Sequence, residues 1–189
     1  MATEYETLLV RVAEFQRSRH FGKYRGIVSD ISDPDDMLRI KATVPAVYGD
    51  SDSPWALPAL PFAGPQHGLV LLPEVGDGVW IEFEAGDIAR PIWSGCWFSR
   101  NQRPSPNGST QRLLATSAGH QILIDEDNDV IQLIHPGGAK LTVGSSDITL
   151  EMGSCTLAIS STEINLNNGM VKVTTAGASL VNDAFKVGA

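Results

Sequence analysis

The chain is poor in positive charge, in cysteine and in long apolar runs, and each shortage excludes something. Lys and Arg total 14 against 22 Asp and Glu, a net charge of −8, so the basic footprint that draws a protein to nucleic acid or to an anionic membrane surface is missing. Two cysteines, Cys96 and Cys155, are too few for a secreted disulfide scaffold. They fall in segments that read as structurally separate, and both are expected to be reduced and buried. No apolar run is long enough to cross a bilayer, and the start, Met1-Ala2-Thr3-Glu4-Tyr5-Glu6, has acids where a secretory signal carries positive charge. Synthesis in the cytoplasm without a signal peptide is expected. Charged residues make up only 19% of the 189, while Gly (18) and Pro (11) are plentiful, which describes a folded, turn-rich, β-dominated chain rather than a helical bundle or a disordered one. The length allows one domain plus an extension, not a large multidomain enzyme.

Three parts follow along the chain. Over residues 1–22, Tyr5, Leu8, Leu9, Val12 and Phe15 recur at three- and four-residue steps between charged residues, the pattern of an amphipathic helix. Thr3 followed by Glu6 predicts a capping box. The apolar stripe packs on its own domain or docks on a partner; spacing leaves both open. Over residues 23–98 the pattern changes to short apolar runs: Tyr24 to Val28, Leu38 to Val44, Gly68 to Leu72, Val79 to Phe83 and Pro91 to Trp97. The separators, such as Asp33-Pro34-Asp35-Asp36 and Pro73 to Gly78, carry turn residues. Five short strands suit a small closed barrel of OB type, because an open sheet of that size leaves bare edges. Residues 99–112, SRNQRPSPNGSTQR from position 99, read as an exposed linker.

Residues 113–189 are repetitive. Apolar pairs at i and i+2 recur as Ile122/Ile124, Ile131/Leu133, Leu141/Val143, Ile148/Leu150, Leu157/Ile159, Ile164/Leu166 and Val171/Val173, with Asp-Asn, Pro-Gly-Gly, Ser-Ser, Gly-Ser and Asn-Asn-Gly between them. This is a ladder of very short strands joined by tight turns, each strand showing one apolar face. A lone ribbon has nothing to bury that face against, and a single-chain solenoid with three strands per coil obtains only about two coils, fewer than such stacks need. Three chains around one axis solve the problem. Each apolar pair then points at the axis, strands of different subunits alternate on each face, and about seven layers at roughly 4.8 Å make a rod of roughly 30 Å.

The ordered blocks support a family resemblance. Lys23-Tyr24-Arg25-Gly26-Ile27-Val28, Asp33-Pro34, Arg39 to Pro45, Trp55-Ala56, Pro61-Phe62-Ala63-Gly64, Pro73-Glu74-Val75-Gly76-Asp77-Gly78-Val79, Phe83 to Asp87 and Pro91-Ile92-Trp93-Ser94-Gly95 resemble the OB domain of contractile-tail spike proteins. These are the phage baseplate assembly protein V, the cell-puncturing spike of contractile phages and the valine-glycine-repeat spike of type VI secretion. Ala118-Gly119-His120-Gln121-Ile122-Leu123-Ile124-Asp125 resembles the start of the family's triple-stranded β-helix. The resemblance implies an all-β chain with an N-terminal helix, a five-stranded OB-type barrel and a C-terminal intertwined triple-stranded β-helix. It also implies a homotrimer carried by a tail hub protein, with its needle aimed at the target cell envelope and driven in on contraction. Such a protein ends up in a virion baseplate or a phage-tail-like particle.

Departures from the family set limits. Only the short linker lies where some spikes carry a lysozyme domain, and only the helix precedes the barrel where the type VI spike has a hub-like region, so the hub is expected to be a separate protein. Tyr5, Leu8, Val12 and Phe15 are expected to contact that hub or to brace the trimer. Phe185 and Val187 are expected at the tip or beneath a separate tip-cap protein.

No catalytic residue, metal or cofactor is expected. Asp125-Glu126-Asp127-Asn128-Asp129 offers the first ligands of a calcium loop, but the sixth position is Val130 rather than Gly and the twelfth is Pro136 rather than Glu. Glu74, Asp77 and Asp87, the pair-forming carboxylates an envelope hydrolase would need, sit in turn motifs. Cys96 has no identifiable base. His20, His67, His120 and His135 show no close metal-ligand spacing, and the apex His-x-His pair of some spikes is absent. The rival reading is an OB-fold binding module for nucleic acid or saccharide using Trp80, Phe83, Trp93 and Trp97. Glu82, Glu84 and Asp87 among them repel phosphate.

Overall fold

A computed structural model describes residues 3–188; Met1, Ala2 and Ala189 of the expected helix and tip lie outside the described residues. The chain divides into two compact units between Gln102 and Arg103, inside the stretch read as linker.

The first unit begins with α1, Glu4–Ser18. Its start is fixed by the capping box: the Glu6 N–H donates to Thr3 Oγ1 at 3.3 Å, and the Thr3 N–H donates to the Glu6 carboxylate at 2.7 Å. No residue of α1 is buried. Beyond it His20 donates its N–H to Gly86 O at 2.9 Å, and the His20 ring lies against Tyr24 and Phe83, which ties the helix end to the barrel.

The barrel is built from β1 (Tyr24–Asp30), β2 (Lys41–Thr43), β3 (Leu57–Pro58), β6 (Gly78–Phe83) and β7 (Pro91–Trp97), in the order β2-β1-β6-β7-β3. The bridges Ile40↔Ala56 and Thr43↔Asp52 join the β2 edge to the approach to β3 and so close the sheet on itself, which removes its bare edges. Val28, Ile40, Ala42, Val44, Ala56, Val79, Ile81, Phe83 and Trp93 fill the interior. A Cβ on Gly26 would lie 3.2–3.3 Å from Ile81, Val44 and Ala42, so the absent side chain is what lets β1 approach its neighbours. The strand expected over Gly68 to Leu72 is not a barrel strand. Only His67–Gly68 (β5) is extended, paired with Ala63–Gly64 (β4) in a small hairpin, and the fifth barrel position is taken by β3 in parallel with β7.

The second unit is a single ten-stranded antiparallel sheet: β8 (Gln111–Ala115), β9 (Gln121–Asp125), β10 (Val130–Ile134), β11 (Ala139–Gly144), β12 (Asp147–Met152), β13 (Cys155–Ser160), β14 (Glu163–Leu166), β15 (Val171–Thr174), β16 (Gly177–Leu180) and β17 (Phe185–Gly188). Every strand pairs with its sequence neighbour within the chain. The sequence reading set strands of other subunits between them. The cause of the difference is turn length: two residues join β11 to β12, β12 to β13 and β13 to β14, and such turns fold consecutive strands onto one another as hairpins. Backbone groups are thus satisfied locally, and what remains for other subunits is the side-chain face. The sheet also begins at Gln111, inside the expected linker, and the expected tip contains two further strands, β16 and β17.

Candidate functional site

Strand alternation and register place the ladder residues in two unbroken columns on one face. The first runs Leu114, Ile122, Leu133, Leu141, Leu150, Leu157, Leu166, Val171, Leu180, Phe185. The second runs Ile124, Ile131, Val143, Ile148, Ile159, Ile164, Val173, Ala178, Val187. All fourteen expected core residues and both expected tip residues therefore share one face. Leu114, Ala178 and Leu180 join them; Arg112 stands where the partner of Leu114 should be apolar, and Ala178 is a small residue that marks its pair with Leu180 only weakly.

The face is open in the single chain. Leu141, Leu157 and Val171 are partly covered, while the others of the fourteen, with Leu114, Leu180, Phe185 and Val187, are 38–62% exposed. The opposite face is the better covered one. Leu123 is 5% and Asp125 6% exposed, and Gln132, Thr142, Thr149 and Asn165 are intermediate. A sheet whose apolar side is its wetter side is an unfinished fold: contiguous apolar area of this extent marks a surface covered by another chain.

Polar turns hold the columns in register. Asp125 is a turn cap rather than a ligand: its carboxylate accepts from the N–H groups of Asp127 (3.1 Å) and Asn128 (3.2 Å) and from the side-chain amides of Asn128 and Gln111 (both 2.9 Å). These bonds, the side-chain amides first, hold its pKa below the ordinary carboxylate range. Asn167 stands at φ +49°, accepts the Thr156 N–H at 2.8 Å and donates its own N–H to Thr156 O. Asn tolerates that left-handed conformation better than most residues.

The other candidates disperse. Asp77 accepts the Glu74 N–H and Asp87 accepts the Ala89 N–H, so each closes its own turn. Both cysteines, expected to be buried, are exposed: Cys155 opens an edge-turn hairpin and Cys96 lies late in β7. The Cys96 thiol is nevertheless pushed up by desolvation and by the charge of Asp77, the reverse of nucleophile activation. Phe83 and Trp93 belong to the barrel core. Trp80 and Trp97 flank the Arg25 guanidinium at 5.7 and 5.4 Å, so the four aromatics form no common stacking platform. His120 and His135, far apart in sequence, meet edge to face with centroids 4.8 Å apart. His135 Nδ1 accepts the Gly137 N–H at 2.9 Å, and an edge-to-face pair does not aim two ring nitrogens at one point. Of the expected hub or trimer contacts, Tyr5, Leu8, Val12 and Phe15 are all exposed, at 46–69%.

The fold is a closed five-stranded OB barrel followed by a hairpin ladder with one bare apolar face. Two family models match: the type VI secretion system/phage-baseplate injector OB domain over residues 24–98, and the phage baseplate V C-terminal trimerisation domain over residues 111–172. The chain belongs to the baseplate spike family of phage tails and type VI secretion. Its trimerisation domain, matched over the columns from β8 into β15, supports a homotrimer. No helix among the described residues is long and apolar enough to cross a membrane.

Proposed function

We propose that three copies bring their two-column faces together around an axis and that the resulting shaft is the puncturing needle of a contractile phage tail or related injection system. The observation that carries this reading is the pair of continuous apolar columns, ten and nine strands long and left largely bare by the chain that owns them. In this reading residues 1–22 serve the mount, the barrel of 23–98 sits on a separate hub protein, and the segment up to about residue 110 links it to a shaft that begins at β8. Phe185 and Val187 on β17 form the tip or receive a cap.

The role is mechanical. Contraction supplies the work, and the spike has only to remain folded while its cross-section concentrates the load on the target envelope. The shaft's charge suits that task. Eight acids (Asp125, Glu126, Asp127, Asp129, Asp147, Glu151, Glu163, Asp183) against Arg112, Lys140, Lys172 and Lys186 over residues 111–189 give −4, a sign that resists adhesion to phosphate-rich headgroups and nucleic acid. Of the carboxylates an envelope hydrolase would need, Asp77 and Asp87 each cap their own turn, which favours the mechanical reading.

The test uses assembled particles carrying a spike that ends after residue 160. Loss of target-cell depolarisation with sheath contraction retained is the expected result. Depolarisation equal to that of the full-length spike would remove the needle role.

A further inference from the structure

We propose that the three α1 helices of the trimer wrap into a short parallel coiled coil, seamed by Tyr5, Leu8, Val12 and Phe15. The inference rests on the homotrimer and adds a second, separate point of association to it.

The seam is written in the spacing. Steps of three, four and three residues between Tyr5, Leu8, Val12 and Phe15 are those of the a and d positions of two heptads, the pattern by which helices of like sequence pack on one another. Leu9 follows the first d position and widens the stripe on one side, which suits three helices, where flanking positions are more covered than in a pair. Val10 falls on the outer face. No residue of α1 is buried by its own chain, and all four seam residues are exposed.

Charge and symmetry agree. The residues that flank the seam on one side are Glu4 and Arg11, and those they meet on the next helix are Leu9 and Gln16, so no like charges face each other across it. Over Glu4–Ser18 three acids (Glu4, Glu6, Glu14) and two arginines (Arg11, Arg17) sum to −1, a small self-repulsion for three copies. A three-fold axis relates its helices without inverting them, so the bundle is parallel. The helix is about 22 Å long, too short to assemble by itself in water. The trimerisation domain removes that obstacle by holding three copies of α1 at high effective concentration. The His20–Gly86 bond ties each helix end to its own barrel.

The experiment is disulfide trapping in the full chain with Cys96→Ser and Cys155→Ser, carrying Leu8→Cys or Val12→Cys in the seam, or Val10→Cys on the outer face. Mass is measured in parallel. Seam thiols should oxidise to disulfide-linked pairs in up to two of every three chains, about tenfold faster than the Val10→Cys thiol, in a species near 61 kDa (three times 20.3 kDa). If α1 docks singly on another baseplate protein, the purified trimer will show equal trapping at positions 8, 10 and 12, or none. Either result at 61 kDa overturns the coiled coil and leaves the trimer standing. A mass of one chain for the Cys-free parent overturns both. Because Leu8→Cys and Val12→Cys lie on different turns, failure of one to fold leaves the other to decide.

Discussion

Ile131 offers the sharpest test of the bare face. It lies between Ile124 and Val143 in the second column and is 48% exposed in the single chain. Covering a whole isoleucine side chain is worth roughly 1.5–3 kcal/mol, so completing the burial of this half-covered one contributes about 1 kcal/mol per chain and about 3 kcal/mol per trimer. Ile131→Lys forfeits that sum and adds three ammonium groups to a shared apolar interior, each costing several kcal/mol when unpaired. At 1.4 kcal/mol per factor of ten, the trimer weakens by several decades. Light scattering at micromolar concentration should show the variant falling from about 61 kDa, three times 20.3 kDa, towards 20.3 kDa, or aggregating. Gln132→Lys is the matched control. It is one residue away on the opposite face, and it loses only a 3.2 Å bond to Thr142. A trimer equally robust in both variants refutes the reasoning, because then the columns do not face a partner.

Three further outcomes follow from the geometry. Gly26→Val drives methyl groups into Ile81, Val44 and Ala42, each already 3.2–3.3 Å from a bare Cβ, and should destabilise the barrel by roughly 1–3 kcal/mol in thermal unfolding. Asp33, 5% exposed, is held well below the carboxylate range by Arg39 first and then by the N–H groups of Asp35, Arg39 and Met37. Its stabilisation is therefore complete above about pH 4, the unfolded value, and is lost as acid titrates the folded group. Asp33→Asn should be less stable at neutral pH, and the gap from the parent should shrink in melts below about pH 4; a constant gap contradicts this. Asn167→Ala keeps a left-handed φ without its Thr156 bond and should cost the ladder about 1–2 kcal/mol, read as a lower melting temperature of the trimer.

Legibility differed between the units for physical reasons. In the ladder the two-residue alternation and the turn residues displayed the strands directly, and all fourteen paired residues lie where their parity put them. What could not be read was whom the backbone pairs with, since hairpins and interleaved subunits demand the same alternation, and only turn length separates them. Arg112 hid β8 by placing a charge where the alternation needed an apolar residue. In the barrel, β3 escaped notice because two residues, one of them Pro58, carry no periodicity. The run Gly68 to Leu72 looked like a strand on apolarity alone, yet Leu69, Val70 and Leu71 are exposed. The meeting of His120 with His135 depended on register across a turn, which composition does not encode.

Nearest-neighbour pairing makes the ladder modular. β11 crosses from the first column to the second, β12 returns, and each later pair of strands repeats that round trip. Excising one complete out-and-back pair, such as β12 with β13, would let Val143 meet Ile164 and Leu141 meet Leu166 with both columns in phase, whereas deleting a single strand would reverse the order. Reach is thus a heritable dimension that evolution or an engineer alters in increments of two strands, leaving the barrel and the mount untouched.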